Sequence, residues 1–364
     1  MSRIPRSIAG VDVFFLEEVL GRAGVLSGSL SGCEHERLHE QSGVATVFRT
    51  TLRLARGSRG PHTVIVKLPP SQSEHRSAVQ RAGFGATEVG FYRDLAASVP
   101  VRTPECYLAD HDPEDGGAVL VLEDLGDVAS TWHETPLNTQ HARAMLACLA
   151  RLHARFWNSR ELDRHAWLGV PLDRVPFYRD ALESVARLLP VCVADEVPAP
   201  VTRLLAALIP RLGGVARYLS GPPHTLVHGD FTHRNCALVD REPVAFDWQL
   251  AQRARGARDV AYLIPFLSLG DSGVTPDSLI GEYHARLCSL GVSGYTREDL
   301  RADQDLATLD VMQVGFISML VPLHRAQVRG VRVPRAGVLN LLPLIAAGVE
   351  HLKLIERLSD LPYD

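Results

Sequence analysis

Apolar and polar residues alternate through Thr46-Val-Phe-Arg-Thr-Thr-Leu-Arg-Leu54, the period of a strand with one buried face. A Gly/Pro-rich turn over 55–61 follows, and Thr63-Val-Ile-Val-Lys-Leu68 predicts a second strand. A helical segment is predicted near 74–98, interrupted by Gly83 and Gly85, then strands near 103–110 and 117–123 across a turn-like 111–117. Beyond this point the period changes. Met145, Leu149, Leu152 and Phe156 fall at helical spacing within 139–157, with Asn138 or Thr139 as the N-cap, and Val201, Leu204, Leu205, Leu208 and Leu212 repeat that spacing within 200–219. Short strands are predicted around 225–247, and helices at 277–290, 298–328 and 337–358. The pattern predicts an α+β chain. A small sheet-rich N-terminal lobe, residues 1–124, precedes a larger, mainly helical lobe, residues 125–364, with the join near 124–130.

Composition narrows the function classes. The chain has 364 residues, 46% of them apolar, enough for a sizeable core, and a net charge of -4 gives no electrostatic case for nucleic acid. We expect no membrane span, because no uninterrupted apolar run reaches about 20 residues. We expect no signal peptide either, because the basic N-terminus MSRIPRSIAG is not followed by a long apolar stretch. Six cysteines (33, 106, 148, 192, 236 and 288) lie far apart with no C-x-x-C pair. That spacing argues against zinc or a disulfide framework and for a reducing cytoplasm. Of 38 basic residues only Lys67 and Lys353 are lysine. Where arginine has taken nearly every position that needs only positive charge, a remaining lysine points to a need for a compact ammonium. Lys353 lies in a helical stretch and reads as chance, whereas Lys67 closes a strand.

The chemistry concentrates in Leu226-Val-His-Gly-Asp-Phe-Thr-His-Arg-Asn235 and in Val244-Ala-Phe-Asp-Trp-Gln249, whose Asp247 lies twelve residues after Asn235. Each apolar run delivers an aspartate, Asp230 or Asp247, and Asn235 follows Asp230 after four intervening residues. Phosphoryl transfer needs such a set. One carboxylate sits beside the attacking hydroxyl, while an amide oxygen and a second carboxylate hold Mg²⁺ against phosphate oxygens. The structural alternative makes the two aspartates turn residues and Asn235 a cap.

These motifs resemble the aminoglycoside phosphotransferase and choline kinase superfamily, and most closely its ecdysteroid-kinase-like branch, over roughly residues 30–270. The resemblance implies a protein-kinase-like two-lobed fold and transfer from ATP or GTP, with Mg, to a small-molecule hydroxyl. It implies Asp230 as catalytic base and Asn235 and Asp247 as metal ligands. Lys67 would contact the nucleotide phosphates and Glu88 would pair with it; edge-strand and exposed-helix positions are the plain alternatives. Glu123, Asp124 and Leu125, in a segment like the family's L-L-E-D-L, would line the base pocket. Gly43, in Gln41-Ser-Gly-Val-Ala-Thr46, would stand in the phosphate-covering loop, although no full glycine-rich motif occurs and a plain hairpin turn fits equally. Asp259 matches a family aspartate that supports the catalytic loop. His153 matches the family's L-H-A-x-F-W helix and reads as a satisfied core or supporting histidine and not a base, and His228 would buttress the loop backbone. H-G-D replacing H-R-D, and Asp247-Trp-Gln replacing D-F-G, separate the chain from protein kinases.

The acceptor is expected to be chosen by the helical lobe. The acidic stretch Glu298–Asp305, with Asp310, reads as a solvated face, and Met312, Phe316 and Met319 read as core or as a pocket floor. A neutral or weakly charged hydroxylated molecule is therefore expected, an antibiotic among the options. Competing readings are a pseudokinase-like regulatory module and a metal-dependent phosphohydrolase. The latter needs a denser Asp/His cluster than the sequence offers.

Overall fold

The computed structural model describes residues 4–41, 45–70, 80, 82–114, 116–126, 138–193, 197–239, 242–264, 274–333, 341–359, 361–362 and 364. The chain forms two compact units. The first comprises Met1–Pro136, His165–Leu168 and Asp230–Ala251; the second comprises Leu137–Arg164, Gly169–Gly229 and Gln252–Asp364.

In the first unit, helix α1 (Val13–Arg22) starts at Asp12, whose carboxylate accepts the Phe15 N–H at 2.9 Å. Five strands follow: β1 (Leu30–Gln41), β2 (Ala45–Leu54), β3 (Thr63–Leu68), β4 (Cys106–His111) and β5 (Ala118–Glu123). They form one antiparallel sheet in the order β1-β2-β3-β5-β4. Strand β3 is central, with Val47 and Leu120 flanking Lys67, so Lys67 is not an edge-strand residue. Side chains alternate across a strand. Val64, Val66 and Leu68 enter the core with Leu16, Leu20, Val119 and Val121, which leaves Lys67 on the opposite face. Helix α2 (Phe84–Asp94) begins after Gly83, whose φ of +71° suits a residue without Cβ. The sequence-predicted helix near 74–98 is thus shorter among the described residues; 71–79 and 81 lie outside them.

The second unit is mainly helical. Helix α3 (Thr139–Arg155) is capped by Asn138, one of the two caps the sequence predicts, and α4 (Val175–Cys192) follows it in the chain. The single helix predicted over 200–219 is two, α5 (Ala199–Leu208) and α6 (Leu212–Ser220), separated at Pro210, which has no N–H to continue a helix. Strand β6 (Thr225–Val227) pairs antiparallel with a later strand, Gln252–Ala254. Between these two strands, from Asp230 to Ala251, the chain belongs to the first unit and forms the hairpin β7 (Cys236–Val239) and β8 (Glu242–Ala245), which makes Gln252–Ala254 strand β9. Helices α7 (Ala257–Leu263), α8 (Pro276–Ser289), α9 (Arg297–Ser318), α10 (Leu320–Arg329), α11 (Leu341–His351) and α12 (Leu354–Ser359) complete the described chain. The helix predicted over 298–328 divides at Met319, just ahead of Pro322. Two pieces likewise cover the described part of 337–358.

One expectation needs correction. The acidic stretch is only half a solvated face: Glu298 and Asp299 are exposed, but Asp303 and Asp310 are buried on α9. Their partners come from distant sequence. Asp303 accepts from Tyr218 and Tyr295 hydroxyls and from Arg255, and Asp310 accepts from Arg258 at 2.5 Å. Ala199–Ser220 and Arg297–Arg329 are long and apolar enough to cross a membrane by length and composition only. Both carry core positions of the second unit, among them Leu204, Leu208, Phe316 and Leu323. Phe316 and Met319 are fully buried, as core residues, and Met312 is half-buried. All six cysteines are thiols.

Candidate functional site

The β7–β8 hairpin brings the two halves of the motif together. Cys236 pairs with Ala245, and the Phe246 N–H donates to the Asn235 carbonyl at 3.0 Å. Antiparallel pairing therefore places Asn235 and Asp247 at the same open end, which accounts for a twelve-residue spacing. Asp247 leaves the strand with φ +65° and ψ +58°, a left-handed conformation uncommon for a residue with a side chain and one that recurs at functional sites. Trp248, directly after it, is fully buried and donates its indole N–H to the Ala245 carbonyl at 3.1 Å.

Asn235 and Asp230 are joined. The Asn235 amide donates to the Asp230 carbonyl at 3.0 Å and to its Oδ2 at 2.8 Å. Turn bonds from the Thr232 N–H to the Asp230 carbonyl and from the Asn235 N–H to the Thr232 carbonyl, at 2.9 and 3.1 Å, fold the four-residue gap that sets this contact.

The sheet supplies the third part. Lys67 Nζ lies 2.5 Å from Asp247 Oδ1 and 2.6 Å from Glu88 Oε2, and all three residues are buried. Burial works against the ammonium, but Asp247 and Glu88 outweigh it and hold Lys67 above its ordinary value, fully charged. Burial pushes the Glu88 carboxyl up, with Lys67 partly offsetting it and Asp247 adding to it. Glu88 is thus a buried partner of Lys67, not an exposed helix position.

Glu123 and Asp124 stand at the end of β5 with their polar atoms committed. The Glu123 carboxylate accepts the Glu105 N–H and its own N–H donates to the Glu105 carbonyl. Arg49 grips Asp124 through two nitrogens, at 2.8 and 3.3 Å. Leu125 follows, half-buried. Gly43 lies outside the described residues, together with Ser42 and Val44.

A second network, entirely in the second unit, holds the backbone just ahead of Asp230. Asp259 is fully buried; its Oδ2 accepts the His228 N–H at 2.7 Å and its Oδ1 accepts the Gly229 N–H at 2.8 Å. His153 Nε2 lies 3.2 Å from Asp259 Oδ2, and His153 Nδ1 is 2.7 Å from the Tyr283 hydroxyl. Burial works to raise the Asp259 carboxyl, but the His153 bond, the charge of the neighbouring imidazoles and the Gly229 amide outweigh it and hold it below the ordinary carboxylate range. Arg258 donates to the Gly229 carbonyl at 3.2 Å. Gly229, at φ +86°, makes a turn open chiefly to glycine.

The donor set suits a hard cation. With its amide nitrogen turned to Asp230, Asn235 offers an oxygen on the other side, and Asp247 offers carboxylate oxygens. No group of three His, Cys, Asp or Glu side chains forms a cage among the described residues. Such a sparse set fits Mg²⁺, which keeps waters and takes phosphate oxygens in place of an all-protein shell. Of the residues singled out in the sequence, the structure joins Lys67 with Glu88 and Asp247, and Asp230 with Asn235; the aromatic packing beside them went unpredicted. Phe91 of α2 stacks on Trp248 at 3.8 Å between centroids, 7° from parallel. Helical spacing from Glu88 and an aromatic after the aspartate were the available signals.

Known proteins share the family and the fold. The model of the APH phosphotransferase enzyme family matches residues 38–300. No curated protein matches in sequence. Solved structures share the fold at low identity. A GDP complex of a mutant aminoglycoside 2'-phosphotransferase-IIIa aligns with a TM-score of 0.54 at 12% identity, covering 93% of this chain and 98% of that one. Choline kinase from Cryptosporidium parvum gives 0.53 at 10% identity, covering 90% of each chain. Amicoumacin kinase in complex with AMP-PNP, Ca²⁺ and its ligand gives 0.50 at 15% identity, covering 96% and 95%. The five-stranded sheet followed by helices is the protein-kinase-like α+β fold that the sequence predicts. With a family match across most of its length, the chain belongs to the APH phosphotransferase enzyme family.

Proposed function

We propose that this protein transfers the γ-phosphate of ATP or GTP to a hydroxyl of a small molecule. The observation that carries this reading is the convergence, in one unit, of the Lys67–Glu88–Asp247 ion cluster with the Asp230–Asn235 pair. Asp230 would orient the acceptor hydroxyl and take its proton. Lys67, kept charged by its two carboxylates, would bind phosphate oxygens. Asn235 and Asp247 would hold Mg²⁺, which supplies charge neutralisation on the transferring phosphoryl group. The backbone from Glu123 to Leu125 would line the base pocket, with the Glu123 N–H already bonded to the Glu105 carbonyl. In this reading the nucleotide would be bound by the sheet-rich N-terminal lobe and the acceptor chosen by the helical lobe. The thiol cysteines and the triphosphate co-substrate fit a cytoplasmic location.

The relatives' names speak of aminoglycosides, choline and amicoumacin. For this chain a neutral or weakly charged acceptor is favoured, because the carboxylates of Asp303 and Asp310 are already met by Arg255 and Arg258. They do not form an open acidic patch for a polycation. A resistance role, through an antibiotic hydroxyl, is one form this chemistry takes.

The test incubates the protein with ATP or GTP, Mg²⁺ and a panel of hydroxylated metabolites and antibiotics, with product masses read by spectrometry. A phosphorylated acceptor is expected. Triphosphate hydrolysis with no acceptor phosphorylated, or no consumption across the panel, counts against the reading. Removing divalent cations with EDTA is expected to lower transfer to background, and Mg²⁺ to restore it. Full activity in EDTA would contradict the metal roles of Asn235 and Asp247.

A further inference from the structure

We infer that Trp167 is a positioning residue for the nucleotide site, holding α2 so that Glu88 meets Lys67. The inference rests on the phosphotransfer reading but adds a residue from a distant segment.

Helix α2 is eleven residues long and contains Gly85 and Gly90. Glycine costs a helix about 1 kcal/mol relative to alanine, and so short a helix has little stability of its own. Its placement is therefore set by what it packs against. Phe91 stacks on Trp248, next to Asp247. A second contact is made by Trp167. A Cβ built on Gly90 would fall 2.3 Å from Trp167 Cδ2 and 2.4 Å from Cγ, so the indole lies directly on the helix backbone where no side chain intervenes. One turn on, Asp94 accepts the Trp167 Nε1–H at 2.6 Å. Residues four apart share a helix face, so Gly90 and Asp94 together form one seat, a notch and an acceptor, for one indole. The seat is reinforced. Arg93 holds Asp94 through Nε at 2.8 Å and Nη2 at 3.1 Å, and His165 Nδ1 lies 3.8 Å from Asp94 Oδ2.

Residues His165–Leu168 pack as part of the first unit although the chain on both sides of them belongs to the second. The four-residue strap thus meets the helix that carries Glu88, two residues before Gly90. Without the indole the notch is empty and the Asp94 contact is lost. The Glu88–Lys67 contact at 2.6 Å is then left to the Phe91–Trp248 stack and to the packing of α2 on β4 and β5, with nothing on the Gly90–Asp94 face to fix the helix. Lys67 would bind phosphate less well, and the acceptor would be little affected.

The experiment measures ATP and GTP affinity by calorimetry, with circular dichroism and melting curves, for wild type, Trp167→Ala, Trp167→Phe, Gly90→Ala and the Gly90→Ala/Trp167→Ala double variant. Trp167→Ala and Gly90→Ala are each expected to weaken nucleotide binding about tenfold, as small misplacements near a site do. Trp167→Phe, which keeps the ring and loses the bond to Asp94, should recover most of the affinity. The double variant should bind no worse than Trp167→Ala, because the added methyl then meets no indole. In turnover assays the nucleotide KM should rise with the acceptor KM unchanged. A Trp167→Ala protein that melts earlier yet binds nucleotide like wild type would reduce the strap to packing and overturn the inference. Should Trp167→Ala not fold, wild-type affinity in both Gly90→Ala and Trp167→Phe overturns it equally. Wild type binding neither nucleotide would sink the phosphotransfer reading with it, whereas normal binding in the variants sinks this inference alone.

Discussion

Asp230→Asn is expected to lower kcat by about 10³-fold while nucleotide affinity stays within about twofold. The amide keeps the shape of the carboxylate and an oxygen for the Asn235 N–H, so the turn that links the two residues stays closed. What is lost is a group able to accept the acceptor's proton and a negative charge aimed at its hydroxyl. Phosphoryl transfer through a loose transition state gains chiefly from positioning and charge stabilisation. Some turnover should therefore survive, more than in a variant that also loses the turn. Asn235→Ala removes the donor from Asp230 and one proposed metal oxygen. Because the pair shares a hydrogen bond, the double variant should lose less than the product of the single losses. Steady-state kinetics with any acceptor from the panel, beside nucleotide calorimetry, decides the matter. Near-normal kcat in Asp230→Asn would remove Asp230 from the role of base.

The parts of the fold legible in the sequence are those whose partners lie close along the chain. The 230–247 motif folds on itself through a hairpin, so the spacing, read with the chemistry of phosphoryl transfer and the family resemblance, joined Asn235 to Asp247. Lys67 stood out because only two lysines survive in an arginine-rich chain, and its central strand carries the alternation that places it opposite the core. Strand β1 escaped notice for a physical reason. Its run Cys33-Glu-His-Glu-Arg37 is an edge strand with one neighbour, so its polar side chains meet solvent and no apolar alternation betrays it. Helices α1 and α4 carried apolar periodicity and, for α1, an Asp12 cap that could have been read.

Charges misled most. Asp303 and Asp310 lie on one helix among exposed acids, and composition alone assigns all of them to water. Their partners are Tyr218, Arg255 and Arg258, at least 48 residues away in sequence, apart from Tyr295 at eight. Trp167 is a similar case. An isolated tryptophan between short helical turns carries no sign of its seat, and Gly90 hinted only that something approaches α2 closely. Function is thus written locally where backbone geometry assembles it and non-locally where packing supports it. Variants at Trp167 and Asp259 test the second kind of information, and Asp230 the first.

Asp259→Ala is expected to cost the fold about 3–5 kcal/mol, the size seen when one partner of a buried charged network is removed. Asp259 is fully buried and accepts the consecutive His228 and Gly229 N–H groups as well as contacting His153. Truncation strands both amides away from water and leaves His153 with Tyr283 as its remaining contact in that chain. Asp259→Asn should be nearly as costly, because its NH₂ would face an N–H where an oxygen is needed. For a unit of this size the loss corresponds to a fall of about 10 °C in the melting temperature of the affected transition. The pH dependence has a definite sign. The folded carboxyl is held below its ordinary value, so the stabilisation is present above the ordinary carboxylate range and is lost as pH falls through the lower folded value. Wild type should therefore lose stability on acidification below about pH 4, and Asp259→Ala should show a shallower decline there. The expected kinetic consequence is separate from the thermal one. His228 and Gly229 immediately precede Asp230, so a variant assayed well below its melting point should keep nucleotide affinity while kcat falls. A variant that melts with wild type, or melts early yet turns over at the wild-type rate, would show that the aspartate does not hold the backbone from which Asp230 acts.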